Sequence, residues 1–319
     1  NSGEILSMVS LPDFDLNKRE DISDKKFINR STKGVYELGS VFKTFTLAAG
    51  LQQNVIQEDT LFKNLPKKIK CAGRSISEYD MDIPSSLTAE EILIRSGNIG
   101  SIKIAQKVGL ENFKDFLENL DLLNKIQFDI EEVGNPIPFK WGKCKLATSA
   151  YGHGITTTPL QLAKAYAIIA NGGYKIKPTL IKKEKNLKRG EQIITQENSN
   201  KINEILRKIV TSEQGTANLA NIAGYEIAGK TGTAQKSIKG KYSKKKINTF
   251  ASIFPISSPK YVLIVLLDEP KLSETYIYEY YDGKKRKIVG TPFNTAGWTS
   301  VEVAKNIIEK IGPILAIKY

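Results

Sequence analysis

Apolar positions recur with different periods along this chain, and each change of period marks a change of element. Gly3 to Leu11 (Gly-Glu-Ile-Leu-Ser-Met-Val-Ser-Leu) reads as an opening strand, and a polar, irregular stretch runs from Pro12 to Lys33. Gly39-Ser40 precede Val41 to Gly50, a run rich in Phe, Leu and Ala that predicts a buried helix starting at Ser40. Thr88-Ala89-Glu90-Glu91 is a capping box for a helix reaching about Arg95. Apolar residues at 99, 102, 105 and 108, then Phe113, Phe116, Leu117 and Leu120, keep the helical period, so this middle section reads as wholly helical. Between about Gln127 and Lys145 the pattern lapses around Gly134, Pro136, Pro138 and Gly142, which predicts a long loop.

Thr158-Pro159-Leu160-Gln161 combines an N-cap, an N1 proline and a glutamine at N3, and Asn171-Gly172-Gly173 supplies the stop of that helix. Ile202, Ile205, Leu206, Ile209 and Val210 mark another helix. After Gly224 the pattern becomes extended, with strands expected at Glu226 to Lys236, Thr249 to Ile256 and Tyr261 to Leu267. Thr299-Ser300-Val301-Glu302 is expected to cap a last helix whose Val303, Ile307, Ile308 and Ile311 pack on the sheet. Strand, helices, strands, helix is an α+β order, in which the first strand must join the later ones.

Composition narrows the chemistry. The 319 residues, 40% of them hydrophobic, are enough for one sizeable domain with inserted subdomains. One histidine, His153, and two cysteines, Cys71 and Cys144, are too few for a zinc site of the usual nitrogen and sulfur ligands. A hydroxyl nucleophile here lacks a histidine base unless His153 alone serves, and lysine is the obvious substitute. The net charge is +13, from 47 Lys+Arg against 34 Asp+Glu. The lysines fall in runs (Lys67, Lys68 and Lys70; Lys182 to Arg189; Lys244 to Lys246; Lys284 to Lys287) that read as solvated polar loops. No aromatic residues interleave them in the manner of a base-stacking surface, so no nucleic-acid partner is expected. No window approaches the ~20 apolar residues of a membrane span, and Asn1 is followed at once by strand-like sequence with no signal peptide. Whether the cysteines pair cannot be read from their spacing.

Three short motifs follow in order: Ser40-Val41-Phe42-Lys43, Ser96-Gly97-Asn98 and Lys230-Thr231-Gly232-Thr233. Each alone has an ordinary explanation, a helix cap, a turn or a hairpin strand; the ordered set is what carries weight. Residues i and i+3 share a helix face, which puts the Ser40 hydroxyl within reach of the Lys43 amine. At the usual lysine pKa only about one amine in 2,500 is neutral at pH 7, so Lys43 must be desolvated or repelled by another cation. Lys230 is a candidate for that cation, and burial beside Phe42 and Phe45 would help. Making the amine a working base means lowering its pKa by roughly 3, worth about 4 kcal/mol. Ser96 would relay protons, and Asn98 would hold a substrate amide or Lys43. Lys230 to Thr233 fits an edge strand: Thr231 and Thr233 share one face, Gly232 lets a substrate backbone approach, and a peptide adds as a further strand. Lys230 and the threonine hydroxyls suit a terminal carboxylate, and the backbone amides of Ser40 and Thr233 an oxyanion hole.

These motifs, with Tyr36-Glu37-Leu38-Gly39 before Ser40, Tyr151-Gly152-His153-Gly154, Thr158 to Ala163 and Ala228 to Gln235, make the chain similar to a class B penicillin-binding protein over nearly its whole length. Leu38 stands where that family usually has proline. Glu132-Val133-Gly134 through Trp141-Gly142, Asp268-Glu269-Pro270 and Thr295-Ala296-Gly297-Trp298 resemble septal, cell-division members, alphaproteobacterial ones in particular. The resemblance implies a five-stranded antiparallel sheet flanked by helices (about 1–50 and 215–319), an all-helical subdomain (about 51–214), and Ser40 in the cleft between them. It further implies an N-terminal membrane anchor and pedestal outside this chain, with the catalytic domain on the periplasmic side of the inner membrane.

The implied reaction is D,D-transpeptidation without cofactor. Ser40 attacks the penultimate D-Ala carbonyl of a peptidoglycan stem peptide, terminal D-Ala leaves, and a neighbouring amine resolves the acyl-enzyme; β-lactams acylate the same serine. A membrane glycosyltransferase and division proteins are the implied partners through regions outside this chain. Rival readings are a serine β-lactamase, to which the Glu131 and Asn135 spacing points, a D,D-carboxypeptidase, and a β-lactam sensor without turnover. Gly134, Pro136 and Trp141-Gly142 fit the wall enzymes better than the lactamase. His153 is read as structural.

Overall fold

The computed structural model describes residues 2–15, 17–18, 27–183, 189–238, 241–281 and 285–318. Parts of the expected irregular stretch 12–33 and of the Lys182 to Arg189 run, and Lys284, lie outside the described residues. At the centre is α1 (Lys43–Gln52), in which every residue from Lys43 to Leu51 is buried. Neighbours therefore cover it all round; α2 (Ala89–Ile94), α3 (Asn98–Val108) and α4 (Leu110–Asn119) are among them. Its two buried threonines are satisfied: Thr44 Oγ1 lies 2.9 Å from Tyr166 Oη, and Thr46 Oγ1 donates to the Ala150 carbonyl at 2.7 Å.

Two short ribbons precede α2. The pair β1 (Leu61–Phe62) and β4 (Leu87–Thr88) is antiparallel, as is the hairpin β2 (Lys68–Cys71) with β3 (Arg74–Ser77). Ala72 and Gly73 turn that hairpin, both with positive φ, the conformation that matches the twist of a two-residue turn. A disulfide joins Cys71 at the end of β2 to Cys144 in α5 (Lys143–Ser149). Both expected capping boxes form: Thr88 with Glu91 on α2, and Thr158 with Gln161 on α6 (Pro159–Ala170). α7 (Gln196–Thr211) follows.

The main sheet has three antiparallel strands in the order β5 (Ala228–Ile238), β6 (Lys241–Phe254), β7 (Tyr261–Asp268), with β5 at an edge. α6 and α8 (Ser300–Lys318) pack against β6 and β7. One continuous apolar core runs from Leu38 to Ile308 through helices and sheet alike. The fold is α+β, as expected.

Several boundaries differ from the sequence reading. The described main sheet has three strands, not five; β8 (Ile277–Tyr281) and β9 (Lys285–Val289) form a separate hairpin. The Gly3 to Leu11 stretch does not join the main sheet and makes a single bridge, Glu4 to Thr179. Its apolar residues are poorly buried: Leu6, Val9 and Leu11 are 53%, 70% and 67% exposed. The helix expected at Ser40 begins as a 3-10 turn, Gly39–Phe42, and becomes α-helical only at Lys43, while Gly50 lies inside it. The long loop ends at Gly142, because α5 starts at Lys143. Lys68 and Lys70, Lys244 to Lys246 and Lys285 to Lys287 stand in strands β2, β6 and β9 rather than in loops. On α8 the buried face is Val301, Ala304 and Ile308; Val303 is 37% exposed. Thr299 does not cap α8: its hydroxyl donates back to Thr295 O and accepts from Asn248 Nδ2.

Candidate functional site

The 3-10 turn carrying Ser40 lies against edge strand β5, and glycine is what lets the two backbones touch. A Cβ built on Gly232 would overlap the Leu38 carbonyl oxygen and stand 3.1 Å from Val41 Cγ1. Gly39, at φ +62°, would place a Cβ 3.0 Å from Thr233 O. Gly232 was expected to admit substrate backbone; its Cβ direction is instead occupied by the segment leading into Ser40. Ser40 and Thr233, the expected oxyanion-hole pair, and Thr231 all line one open cleft of about 670 Å³.

Ser96 enters the same cleft from the end of α2. Ser96 N–H bonds Leu93 O and Gly97 N–H bonds Ile92 O, the double closure that ends many helices with a left-handed residue. That residue is usually glycine. Here it is Ser96 at φ 58°, a conformation costing on the order of 1–2 kcal/mol for a residue with a Cβ. The strain keeps a hydroxyl where glycine would offer none.

Two buried amines meet at that hydroxyl. Lys43, 2% exposed, donates to Ser96 O at 2.5 Å and to Ser96 Oγ at 3.1 Å. Lys230, fully buried, donates to Ser96 Oγ at 3.0 Å and to Thr231 O at 3.2 Å. Lys43 thus hydrogen-bonds Ser96 and not Ser40. Burial pulls the Lys43 amine down to about 7, with Glu78 pulling the other way. Lys230 lies well below the usual lysine range, first through burial and then through repulsion by Lys43. A neutral Lys43 that donates twice keeps its lone pair, and Ser96 Oγ, accepting from both amines, keeps its own proton to donate.

Asn98 does not hold Lys43: its Nδ2 donates to Ser77 O at 2.8 Å. The Thr231 hydroxyl pairs with that of Thr216 at 2.6 Å, and Thr233 Oγ1 accepts from Ala296 N at 3.0 Å. Glu78 and Thr216 went unnoticed in the sequence, where neither belongs to a periodic pattern or a motif. His153 also lines the cleft, stacked on Tyr151 (5.7 Å) and against Tyr242 (4.5 Å), with Nδ1 4.0 Å from Glu37 Oε2. Glu37 in turn accepts from Gly154 N at 2.9 Å and from Tyr242 Oη at 3.1 Å, which pins the far end of β6 to the residues preceding Ser40. Glu131 and Asn135 are exposed and off the cleft. Among the described residues no group of three or more metal-ligating side chains occurs.

The penicillin binding protein transpeptidase domain matches residues 1–294. Aligned over its full length, the chain is 32% identical to the probable peptidoglycan D,D-transpeptidase FtsI of Caulobacter vibrioides and covers 53% of it, so it spans about half of that relative. The apo TP domain of Burkholderia pseudomallei penicillin-binding protein 3 superposes with a TM-score of 0.74 at 24% identity, covering 89% of this chain and 82% of that one, a likeness of fold. Penicillin-binding protein 3 of Mycobacterium tuberculosis, in complex with aztreonam, superposes at 0.70 with 26% identity over 79% of this chain and 61% of that one.

Proposed function

The chain belongs to the penicillin binding protein transpeptidase family, and from that premise we propose that it is a peptidoglycan D,D-transpeptidase working through a Ser40 acyl-enzyme. The observation that carries this reading is the convergence of two buried, proton-poor amines on Ser96 Oγ, in the wall of the cleft that Ser40 also lines. Ser40 Oγ gives its proton to neutral Lys43 as it attacks the penultimate D-Ala carbonyl. The backbone N–H groups of Ser40 and Thr233 receive the oxyanion. Ser96, bridging both amines, returns the proton to the departing D-Ala. An amine from a neighbouring stem peptide then takes the acyl group, and Ser40 regains its proton.

The stem peptide lies along the β5 edge as an added strand, with the hydroxyls of Thr231, Thr233 and Thr216 around its terminal carboxylate. Asn98, whose Nδ2 is held by Ser77 O, presents its Oδ1 to a substrate N–H. Lys230 acts from beneath, on Ser96, more than on the carboxylate itself.

We place the domain in septal wall synthesis on the periplasmic face of the inner membrane, with a membrane glycosyltransferase and division proteins as partners through regions outside this chain. The likeness to the probable peptidoglycan D,D-transpeptidase FtsI of Caulobacter vibrioides supports the first part. The Cys71–Cys144 disulfide, at home in an oxidising compartment, supports the second. No described helix is long and apolar enough to cross a membrane. The β-lactamase reading loses its carboxylate, since Glu131 is exposed and away from the cleft.

Intact-mass measurement after benzylpenicillin treatment tests the proposal. Wild type is expected to carry one stable adduct and Ser40→Ala none. Rapid release of hydrolysed antibiotic, or an adduct that persists in Ser40→Ala, would defeat it. Assay with a D-Ala-D-Ala peptide and added amine separates transfer from carboxypeptidase hydrolysis.

A further inference from the structure

We infer that Glu78 is a positioning residue for the Ser96 relay, acting through the N-terminus of α3 and not on substrate; the inference rests on the acyl-transfer reading above. Glu78 is 7% exposed at the end of the β2–β3 hairpin, and both its oxygens are used. Oε2 accepts from Asn98 N at 2.6 Å and Oε1 from Ile99 N at 2.8 Å. These are the first two amides of α3, whose N-cap, Gly97, has no side chain to satisfy them. A carboxylate from another part of the chain therefore does the capping, with charge-assisted bonds and the favourable end of the helix dipole.

The grip extends one residue further, because Asn98 Nδ2 donates to Ser77 O beside it. The turn holding Ser96 is thus fixed on one side by the α2 closure and on the other by Ser77–Glu78. Without the second hold, a left-handed serine has reason to relax, and the meeting point of Lys43 and Lys230 moves with it. The same carboxylate supplies charge. It favours the protonated form of Lys43 against the burial that disfavours it, so it helps set how many protons the amine pair carries. The hairpin that presents Glu78 is tied to α5 through Cys71–Cys144.

The test is the rate of acylation by benzylpenicillin as a function of pH, for wild type, Glu78→Gln, Glu78→Asp and Thr195→Ala, each checked for folding by circular dichroism. Thr195→Ala removes the N-cap of α7 and controls for general loss of stability. Glu78→Gln is expected to acylate about 10- to 100-fold more slowly, with the acidic limb of its pH profile displaced to lower pH because Lys43 sheds its proton more readily. Glu78→Asp, which keeps the charge, is expected to leave the limb in place at reduced rate. A Glu78→Gln profile with its limb unmoved, whether the rate falls or not, overturns the inference. Failure of wild type to form any Ser40 adduct would instead overturn the acyl-transfer reading, which separates the two.

Discussion

Lys43 and Lys230, brought from α1 and from β5, donate to one oxygen, Ser96 Oγ, at 3.1 and 3.0 Å. Both amines are buried, and two full charges sharing one acceptor in a dry site would repel strongly. The pair therefore titrates as a unit carrying fewer than two protons near neutral pH. A serine hydroxyl between two such amines passes a proton either way with little movement.

Ser96→Ala removes that bridge while leaving the Ser96 carbonyl as a partner for Lys43 and Thr231 O as one for Lys230. Acylation by benzylpenicillin is expected to slow by about 10² to 10⁴-fold, the usual worth of a proton-transfer group. Stability should change by only about 1–2 kcal/mol, the cost of one lost buried hydrogen bond. Stopped-flow acylation and urea unfolding measure the two; a mutant acylating at the wild-type rate would remove Ser96 from the proton path.

Folding should be strengthened by alkali in a defined window. In the folded chain Lys43 releases its proton at about 7, whereas in the unfolded chain it does so near the ordinary lysine value of ~10.4. Between those values the unfolded state holds a proton that the folded state lacks, so unfolding becomes harder as pH rises, by up to about 1.4 kcal/mol per pH unit from this residue. Below about pH 7 the penalty of charging the buried amine is fully present. Lys43→Met should flatten the rise; urea midpoints from about pH 7 to about pH 9 for both proteins check it.

Gly232→Ala would drive a methyl into the Leu38 carbonyl, a backbone atom that cannot swing aside. We expect destabilisation of about 1–3 kcal/mol and acylation slower by as much as ~100-fold, because Ser40 and Thr233 are pushed apart. Gly142→Ala is the control: its φ is 170° and a Cβ there meets nothing within 4 Å. Thermal melts and adduct kinetics on the two variants decide whether the contact or mere glycine loss is responsible.

Much of the helical framework could be read from residues because its signals are local. Thr88 with Glu91 and Thr158 with Gln161 announce helix starts within four residues, and the structure has both boxes. The three short motifs were likewise visible as an ordered set, although their meeting at Ser96 Oγ depends on contacts between residues 43, 96 and 230 that no spacing encodes. β8 and β9 escaped notice because Lys285-Arg-Lys reads as a solvated run; in the hairpin those residues pair across strands, Lys287 reaching Glu279 at 2.8 Å. The apolar residues of Gly3 to Leu11 misled for the opposite reason, strand-like sequence with little to bury it against. Glu78 is silent in sequence: one acid at a strand end, whose importance arises only when α3 is laid against it.

The contact between Gly232 and Leu38 implies an order in which the cleft is built. Residues nearly two hundred positions apart must dock before the nucleophile is seated, and such distant closures come late in folding. A nascent chain that has not yet reached β5 lacks the strand against which the Ser40 turn packs. On the acyl-transfer reading, capture of a fluorescent penicillin is expected to count finished molecules, a gauge of maturation in cells or in refolding mixtures.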